Sequence, residues 1–170
     1  MNYWMKHICA NEVMDSLDVV KPMLEKVEPL YSDRMSTEYT IGGAVDGRFF
    51  FDLMMDENDK PCVLFIIELV EYPKTWVLRI MSASGDIGAQ NLDDALLYAD
   101  QYFTALARKN GFGFVEYEGR KGWGRKFKRL GVPIIDHELV IRAVGENHES
   151  SHEDSLADDG GPREVRAAGG

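Results

Sequence analysis

The chain has few of the residues that mark disulfide-rich, zinc-binding or membrane-spanning proteins. Its two cysteines, Cys9 and Cys62, have the spacing of neither a disulfide framework nor a zinc site. The longest apolar run, residues 63–67, is too short to cross a bilayer. The N-terminus has no basic segment followed by an apolar stretch, so no secretory signal is predicted. These absences favour a cytoplasmic protein without membrane association. Cys62 opens a strongly apolar run, so we expect it to be buried in the core.

Positive charge is also scarce, since 19 basic residues face 29 acidic ones and the net charge is −10. Much of the excess lies in residues 145–170, which contain Glu146, Glu149, Glu153, Asp154, Asp158, Asp159 and Glu164. This segment has almost no large apolar side chains, so we predict an acidic, disordered C-terminal tail. Residues 1–144 are predicted to form one globular domain, because the chain is 45% hydrophobic and can bury a core.

The first part of the chain predicts helices and then a loop. Residues 11–31 have apolar positions at helical spacing, interrupted by Pro22. Proline is poorly tolerated in a helix interior, so we expect two short helices that meet near Lys21. The following loop is predicted from three glycines, Gly42, Gly43 and Gly47.

The rest of the domain predicts a sheet with flanking helices. Short apolar runs divided by turn-forming residues predict antiparallel strands at 48–55, 62–70 and 75–81. The second of them is apolar at nearly every position and should lie centrally, covered on both faces. An amphipathic helix at 91–111 is followed by a strand at 112–118, a short helix at 121–130 and a last strand at 138–144. This order predicts an α/β (α+β) fold with a mixed, mostly antiparallel sheet.

The succession of strand, glycine loop, amphipathic helix, strand and basic helix over residues 77–132 resembles the core of the GNAT acyltransferases. The likeness covers roughly residues 13–144 and implies a GNAT-like domain. In that family the acyl-CoA pyrophosphate binds the N-terminus of the helix after the fourth strand, through a loop reading Arg/Gln-x-x-Gly-x-Gly/Ala. Unpaired N–H groups and the helix dipole make such a loop an anion site. Here it reads Ser-Ala-Ser-Gly-Asp-Ile-Gly-Ala, so the resemblance implies coenzyme contacts at Ser84, Gly85, Gly88 and Ala89.

This loop departs from the family pattern in spacing and in charge. Gly88 falls one position late, and Ser82 stands where the family has Arg or Gln. Negative charge follows at Asp86, Asp93 and Asp94. Carboxylates in a first helical turn satisfy the dipole and repel a pyrophosphate. We therefore expect no cofactor, with acetyl-CoA as the cofactor if the protein is active.

The residues for proton transfer differ as well. Many GNAT enzymes have Tyr-x-x-Leu-Gly-Phe at the end of the last helix, and its tyrosine protonates the departing thiolate. Phe127 occupies that position here and has no hydroxyl. In an enzyme Tyr117 would be the candidate replacement, and Glu68 and Glu71 the candidate bases. The simpler interpretations are that Tyr117 packs on the sheet and that Glu68 is exposed or pairs with Arg79.

A cluster of basic residues lies at 120–129, in the second half of the predicted domain. Its Gly-Arg-Lys-Gly-Trp at 119–123 resembles a motif of degenerate GNAT-like proteins of tailed phages, which implies a phage-encoded protein of the virion or host cytoplasm. The cluster is predicted to be either a solvated helix face or a contact for a protein partner, the acidic tail included. The partner-binding candidates are Arg120, Lys121, Trp123, Arg125, Lys128 and Arg129. No metal site is predicted, because His148 and His152 lie in the disordered tail.

The sequence therefore leaves three functions open. The favoured one is a degenerate GNAT-fold protein, phage-encoded, that acts as a non-catalytic virion or accessory protein through protein contacts. The second is an acetyl-CoA-dependent N-acetyltransferase. The third is a nucleic-acid-binding protein that uses the basic helix at 120–129, although the net acidity makes a polyanion an unfavourable partner.

Overall fold

A five-stranded sheet is the centre of the fold in the computed structural model, which describes residues 2–31, 35–118 and 122–133. Its strands follow the order of the chain: β1 Trp4–Ile8, β2 Phe49–Met55, β3 Pro61–Tyr72, β4 Thr75–Gly85 and β5 Phe114–Tyr117. The first four strands are antiparallel, and β5 runs parallel to β4. This mixed, mostly antiparallel sheet confirms the predicted fold class. The predicted strand at 138–144 and the predicted acidic tail lie outside the described residues.

Four α-helices accompany the sheet in the described part of the chain: α1 Leu17–Val27, α2 Thr37–Val45, α3 Leu92–Lys109 and α4 Trp123–Arg129. Shorter 3-10 turns occupy Ala10–Glu12, Met14–Ser16, Glu28–Tyr31 and Ala89–Asn91. The predicted helices at 91–111 and 121–130 are thus confirmed as α3 and α4. Across the described residues, every helix falls short of the length or the apolar character that a bilayer crossing requires.

Helices cover both faces of the sheet. On one face, Val20 and Leu24 of α1 pack in a buried cluster with Phe51, Leu64 and Ile66. On the other face, Ala95, Ala99 and Phe103 of α3 pack in a second buried cluster. Its strand residues include Phe65 and Ile67 of β3 and Ile80 of β4. Because successive side chains of a strand point to opposite faces, β3 contributes to both clusters. The structure confirms that this strand is central and covered on both sides, and that Cys62 is buried.

The prediction of two helices meeting near Lys21 is wrong. Helix α1 runs without a break from Leu17 to Val27 and contains Pro22. Proline costs a helix the hydrogen bond to the carbonyl four residues earlier. Pro22 is exposed and Val20, Leu24 and Val27 are buried, so the proline lies on the solvent side of the helix. Water can satisfy the freed carbonyl there, and the buried face holds the helix together.

The glycine loop was also placed wrongly, because Gly42 and Gly43 lie inside α2. Only Gly47 is in a turn, with a φ of +74° that favours glycine. A Cβ on Gly43 would overlap the buried ring of Phe49, so this glycine allows α2 to approach β2 closely. The edge strand β1 was not predicted at all, and β4 extends to Gly85, four residues beyond its predicted end at 81.

Candidate functional site

The parallel strands β4 and β5 part near the middle of β4. β5 pairs with residues 77–80, after which β4 continues alone beside β3 to Gly85. A bulge accompanies the parting, since Ile66 opposes Ser82 while Ile67 opposes Ile80, which leaves Met81 as the extra residue. The chain then leads from Gly85 into α3. The loop predicted to bind the coenzyme lies at this opening.

Two of the four predicted coenzyme residues belong to the strand instead of the loop. Ser84 is 2% exposed, and its hydroxyl donates to the carbonyl of Met23 in α1. At Gly85 an added Cβ would overlap the backbone carbonyl of Cys62, so the glycine serves the close approach of β3. Both residues have structural roles that the motif comparison did not reveal.

The other two coenzyme candidates lie in the turn before α3. Gly88 has a φ of +67°, and Ala89 begins the 3-10 turn that leads to α3. The amide of Gly88 donates to Oδ1 of Asp86 at 3.4 Å. A carboxylate of the loop itself therefore accepts a hydrogen bond from one of the amides that would otherwise bind a phosphate.

The first turn of α3 is bridged to α4 by ion pairs. Oδ1 of Asp93 lies 2.6 Å from Nζ of Lys126, and Oδ2 lies 3.2 Å from Nη2 of Arg129. The hydrogen bond from Lys126, together with both positive charges, lowers the pKa of Asp93. Two cations of the basic helix are thus bound to a carboxylate of the same chain. Sequence reasoning placed Asp93 beside the phosphate site and missed its partners, which are distant along the chain.

The hydroxyl of Tyr117 is directed toward α3. It donates to Oδ1 of Asp100 at 3.0 Å, and the ring packs on Phe127 with centroids 4.9 Å apart. Burial and the nearby Asp100 raise the pKa of Tyr117 far above its ordinary value. The proton of this tyrosine is therefore tightly held.

The two candidate bases are kept apart by the strand that carries them. Glu68 faces Arg79 on β4, with Oε2 3.4 Å from Nη1, so the pair considered in the simpler interpretation is present. Arg79 also contacts Glu116 at 2.9 Å and the hydroxyl of Tyr72 at 3.0 Å. Glu71 is exposed and lies opposite Trp76, and its odd spacing from Glu68 places it on the other face of the sheet.

The predicted partner-binding cluster is divided. Arg120 and Lys121 lie outside the described residues. Arg125 and Lys128 are exposed on α4, and Arg129 pairs with Asp93. The ring of Trp123 is half-buried and lies 5.9 Å from the ring of Phe127, between centroids.

Sequence reasoning missed a buried polar cluster between β1, β2 and α3. Asp52 is 1% exposed, and its Oδ1 lies 2.7 Å from Nδ1 of His7. Burial and the neighbouring Asp52 raise the pKa of Tyr102 of α3 to about 12. An acid inside the otherwise apolar strand Phe49–Met55 was the signal that could have revealed the cluster.

Comparison with known proteins identifies the fold. No protein-family model and no curated protein matches the chain. A ribosomal-protein-alanine N-acetyltransferase from Brucella melitensis biovar Abortus 2308 superposes with a TM-score of 0.59 at 10% identity, covering 85% of this chain and 100% of its own. An aminoglycoside acetyltransferase from an uncultured soil metagenomic sample, in complex with sisomicin, gives 0.56 at 14% identity, with 85% and 96% covered.

A GCN5-related N-acetyltransferase from Ralstonia eutropha JMP134 gives a TM-score of 0.52 at 14% identity, covering 82% of this chain and 99% of its own. The chain therefore has the fold of the GNAT-type acetyltransferases, as the sequence resemblance predicted. At these identities the similarity shows the fold alone, and the function has to be argued from the residues of this chain.

Proposed function

We propose that this chain is a non-catalytic GNAT-fold protein that acts through contacts with a protein partner. The observation that supports this most directly is the contact of Asp93 with Lys126 and Arg129. These ion pairs link Lys126 and Arg129 of α4 to the first turn of α3, where the pyrophosphate of acyl-CoA would bind in a GNAT enzyme. An incoming phosphate would have to compete with a carboxylate that is already in place.

The rest of the opening supports the same proposal. The amide of Gly88 donates a hydrogen bond to Asp86, and Asp94 adds a further exposed carboxylate in the first turn of α3. Ser84 and Gly85 are engaged in packing between strands and helix α1. The loop thus contributes negative charge where the family pattern would contribute donors.

The proton-transfer groups argue in the same direction. Phe127 has no hydroxyl at the position matched to the family's tyrosine. The hydroxyl of Tyr117 donates to Asp100, and its raised pKa makes it a weaker acid. The carboxylate of Glu68 is already paired with Arg79, at 3.4 Å.

An acyl-CoA titration tests the non-catalytic part of the proposal. We expect no heat of binding when acetyl-CoA or CoA is titrated to millimolar concentration by calorimetry, with an active GNAT acetyltransferase as the positive control. Micromolar binding accompanied by release of free CoA thiol in the presence of amines would instead establish the alternative, an acetyl-CoA-dependent N-acetyltransferase. Gly85 is unsuitable for a loop variant, because any side chain there would disturb the pairing of β3 and β4.

For the partner, the proposal relies on the outer face of α4. Arg125 and Lys128 are exposed there and present positive charge on an otherwise acidic protein. An acidic protein surface is the complementary partner. The motif at 119–123 supports a virion or accessory protein of a phage, and it does so by resemblance only.

Quantitative affinity capture tests this surface. The double variant Arg125→Glu and Lys128→Glu should lose a protein that the wild type retains, and that protein should be released by salt. The variant Lys21→Glu is the matched control, since Lys21 is an exposed cation on α1. Identical capture by all three proteins would exclude α4 as the contact.

A further inference from the structure

An open cavity of about 370 Å³ lies where α2 leads into β2. Its walls include Tyr39, Arg48, Phe49, Glu68 and Leu69. The volume is in the range of small-ligand sites, which is about 300–1,000 Å³. Sequence reasoning gave Arg48 no role and considered Glu68 as a possible base or as exposed or paired with Arg79. It could not foresee the cavity, which forms from two separate parts of the chain.

One wall of the cavity carries a positioned guanidinium. Arg48 lies over the ring of Tyr39, with 5.1 Å from its Cζ to the ring centroid, and 5.8 Å from the centroid of Phe49. Its Nη1 donates to the hydroxyl of Tyr39 at 3.3 Å, and Nη2 lies 3.7 Å from Asp46. Stacking of this kind orients the planar group. The side chain is 51% exposed, and a guanidinium has five N–H donors, so donors remain for an anionic ligand group.

The same cavity is lined by a positioned carboxylate. Glu68 is the direct cross-strand partner of Phe49, so its side chain stands beside the Phe49 ring on the same face of the sheet. Arg79 holds it from the side, at 3.4 Å, and 34% of the side chain is exposed. The ring of Phe49 therefore has both a positive and a negative group beside it.

We propose that this cavity binds a free α-amino acid with an apolar side chain. The carboxylate of the ligand would contact Arg48, its ammonium group would contact Glu68, and its side chain would lie against the aromatic wall of Tyr39 and Phe49. A ligand with only one of the two charges could make only one of the two charged contacts, and nothing in it would offset the partial desolvation of the other protein group. The cavity therefore selects a dipolar ligand over a simple cation or anion.

The inference is independent of acyl transfer. Glu68 pairs with Arg79 along the sheet, whereas Gly85 at the coenzyme loop pairs with Val63. The two sites occupy different positions along β3 and β4, so amino-acid binding requires no coenzyme. A failure of one proposal leaves the other to be tested by its own measurement.

The test is an NMR titration of the full-length protein, with backbone amide signals as the readout. L-Leucine is compared with 4-methylpentanoate, which lacks the ammonium group, and with 3-methylbutylamine, which lacks the carboxylate. We expect leucine to shift the amide signals of Arg48, Phe49 and Leu69, and each single-charge compound to bind at least about tenfold more weakly. The absence of shifts with millimolar leucine would overturn the proposal, and so would equal binding of the three compounds.

Variants locate the binding site. Arg48→Met and Glu68→Gln each remove one charge with little change of size, and each should weaken leucine binding by about tenfold or more. Arg108→Met and Glu25→Gln are the matched controls, because they remove exposed charges on α3 and α1. Two separate variants keep the test valid if one of them is unstable. Wild-type affinity in both Arg48→Met and Glu68→Gln would place the ligand elsewhere and reject the proposal.

Discussion

Asp52 carries a carboxyl group into the interior, where the strand β2 passes beneath α3. Burial raises its pKa, and the hydrogen bond and positive charge of His7 oppose that rise without cancelling it. The folded protein therefore binds a proton at Asp52 more tightly than the unfolded chain. Its contribution to stability is fully present below the pKa of an unfolded Asp and is lost as the pH rises through the folded pKa.

This predicts the pH dependence of the variant Asp52→Asn. The amide is similar in size and keeps an oxygen that can accept a hydrogen bond, but it does not titrate. Relative to wild type, the variant should gain stability steadily as the pH rises from below the ordinary pKa of an Asp side chain through the raised pKa of Asp52. Urea unfolding at several pH values measures the difference. Asp15→Asn, which removes an exposed carboxylate, should show no such trend. A stability difference for Asp52→Asn that is constant with pH would contradict the assignment.

At the scale of elements, the packing of α2 on β2 depends on one of two adjacent glycines. Gly43 faces the ring of Phe49, where a Cβ would overlap, whereas nothing lies within 4 Å of a Cβ on Gly42. Neither residue has the positive φ that would favour glycine. The two positions therefore share a helix and a backbone conformation and differ in their surroundings.

Alanine at these two positions should have opposite effects. Gly42→Ala should stabilise the protein by about 0.5–1 kcal/mol, because alanine is the better helix former. Gly43→Ala should destabilise it by about 1–3 kcal/mol, because the buried Phe49 ring has to move. Chemical denaturation of the pair measures both effects, and each variant is the control for the other. Changes of the same sign would show that helix propensity outweighs the contact with Phe49.

The elements also show where sequence periodicity is a sufficient guide. The apolar stripe of α3 identifies the helix correctly, because the residues of that stripe are the ones buried against the sheet. The rule that proline interrupts a helix fails at Pro22. Proline adds a free-energy cost to the helix, and the burial of Val20 and Leu24 outweighs that cost. The rule that glycines mark a loop fails at Gly43. This glycine lies inside α2 and allows the helix to contact Phe49 of β2 closely. Local rules thus identify elements until a tertiary contact opposes them.

For the molecule as a whole, the distribution of charge argues against a nucleic-acid partner. The net charge of −10 repels a polyanion, and Lys126 and Arg129 of the basic helix already pair with Asp93. The positive charge on the outer face of α4 would attract phosphates over the short range that salt permits.

We therefore predict that the protein does not bind a labelled duplex oligonucleotide at physiological ionic strength. Fluorescence anisotropy over a range of salt concentrations measures this, with a basic DNA-binding protein as the positive control. Tight binding whose affinity falls steeply with salt would contradict the prediction, because that slope reports released counterions. It would also restore the third function left open by the sequence.

The sequence by itself determined the class of fold, the central position of β3 and the identity of α3, because these follow from the spacing of apolar residues along the chain. It also determined that Phe127 lacks the hydroxyl of the family's tyrosine. Only the tertiary structure decided what the charged residues contact. Asp93 meets Lys126, Asp52 meets His7, and Arg48 meets the cavity shared with Glu68. The partners in each case are distant in sequence, and the energy of a charge depends on its neighbours in space.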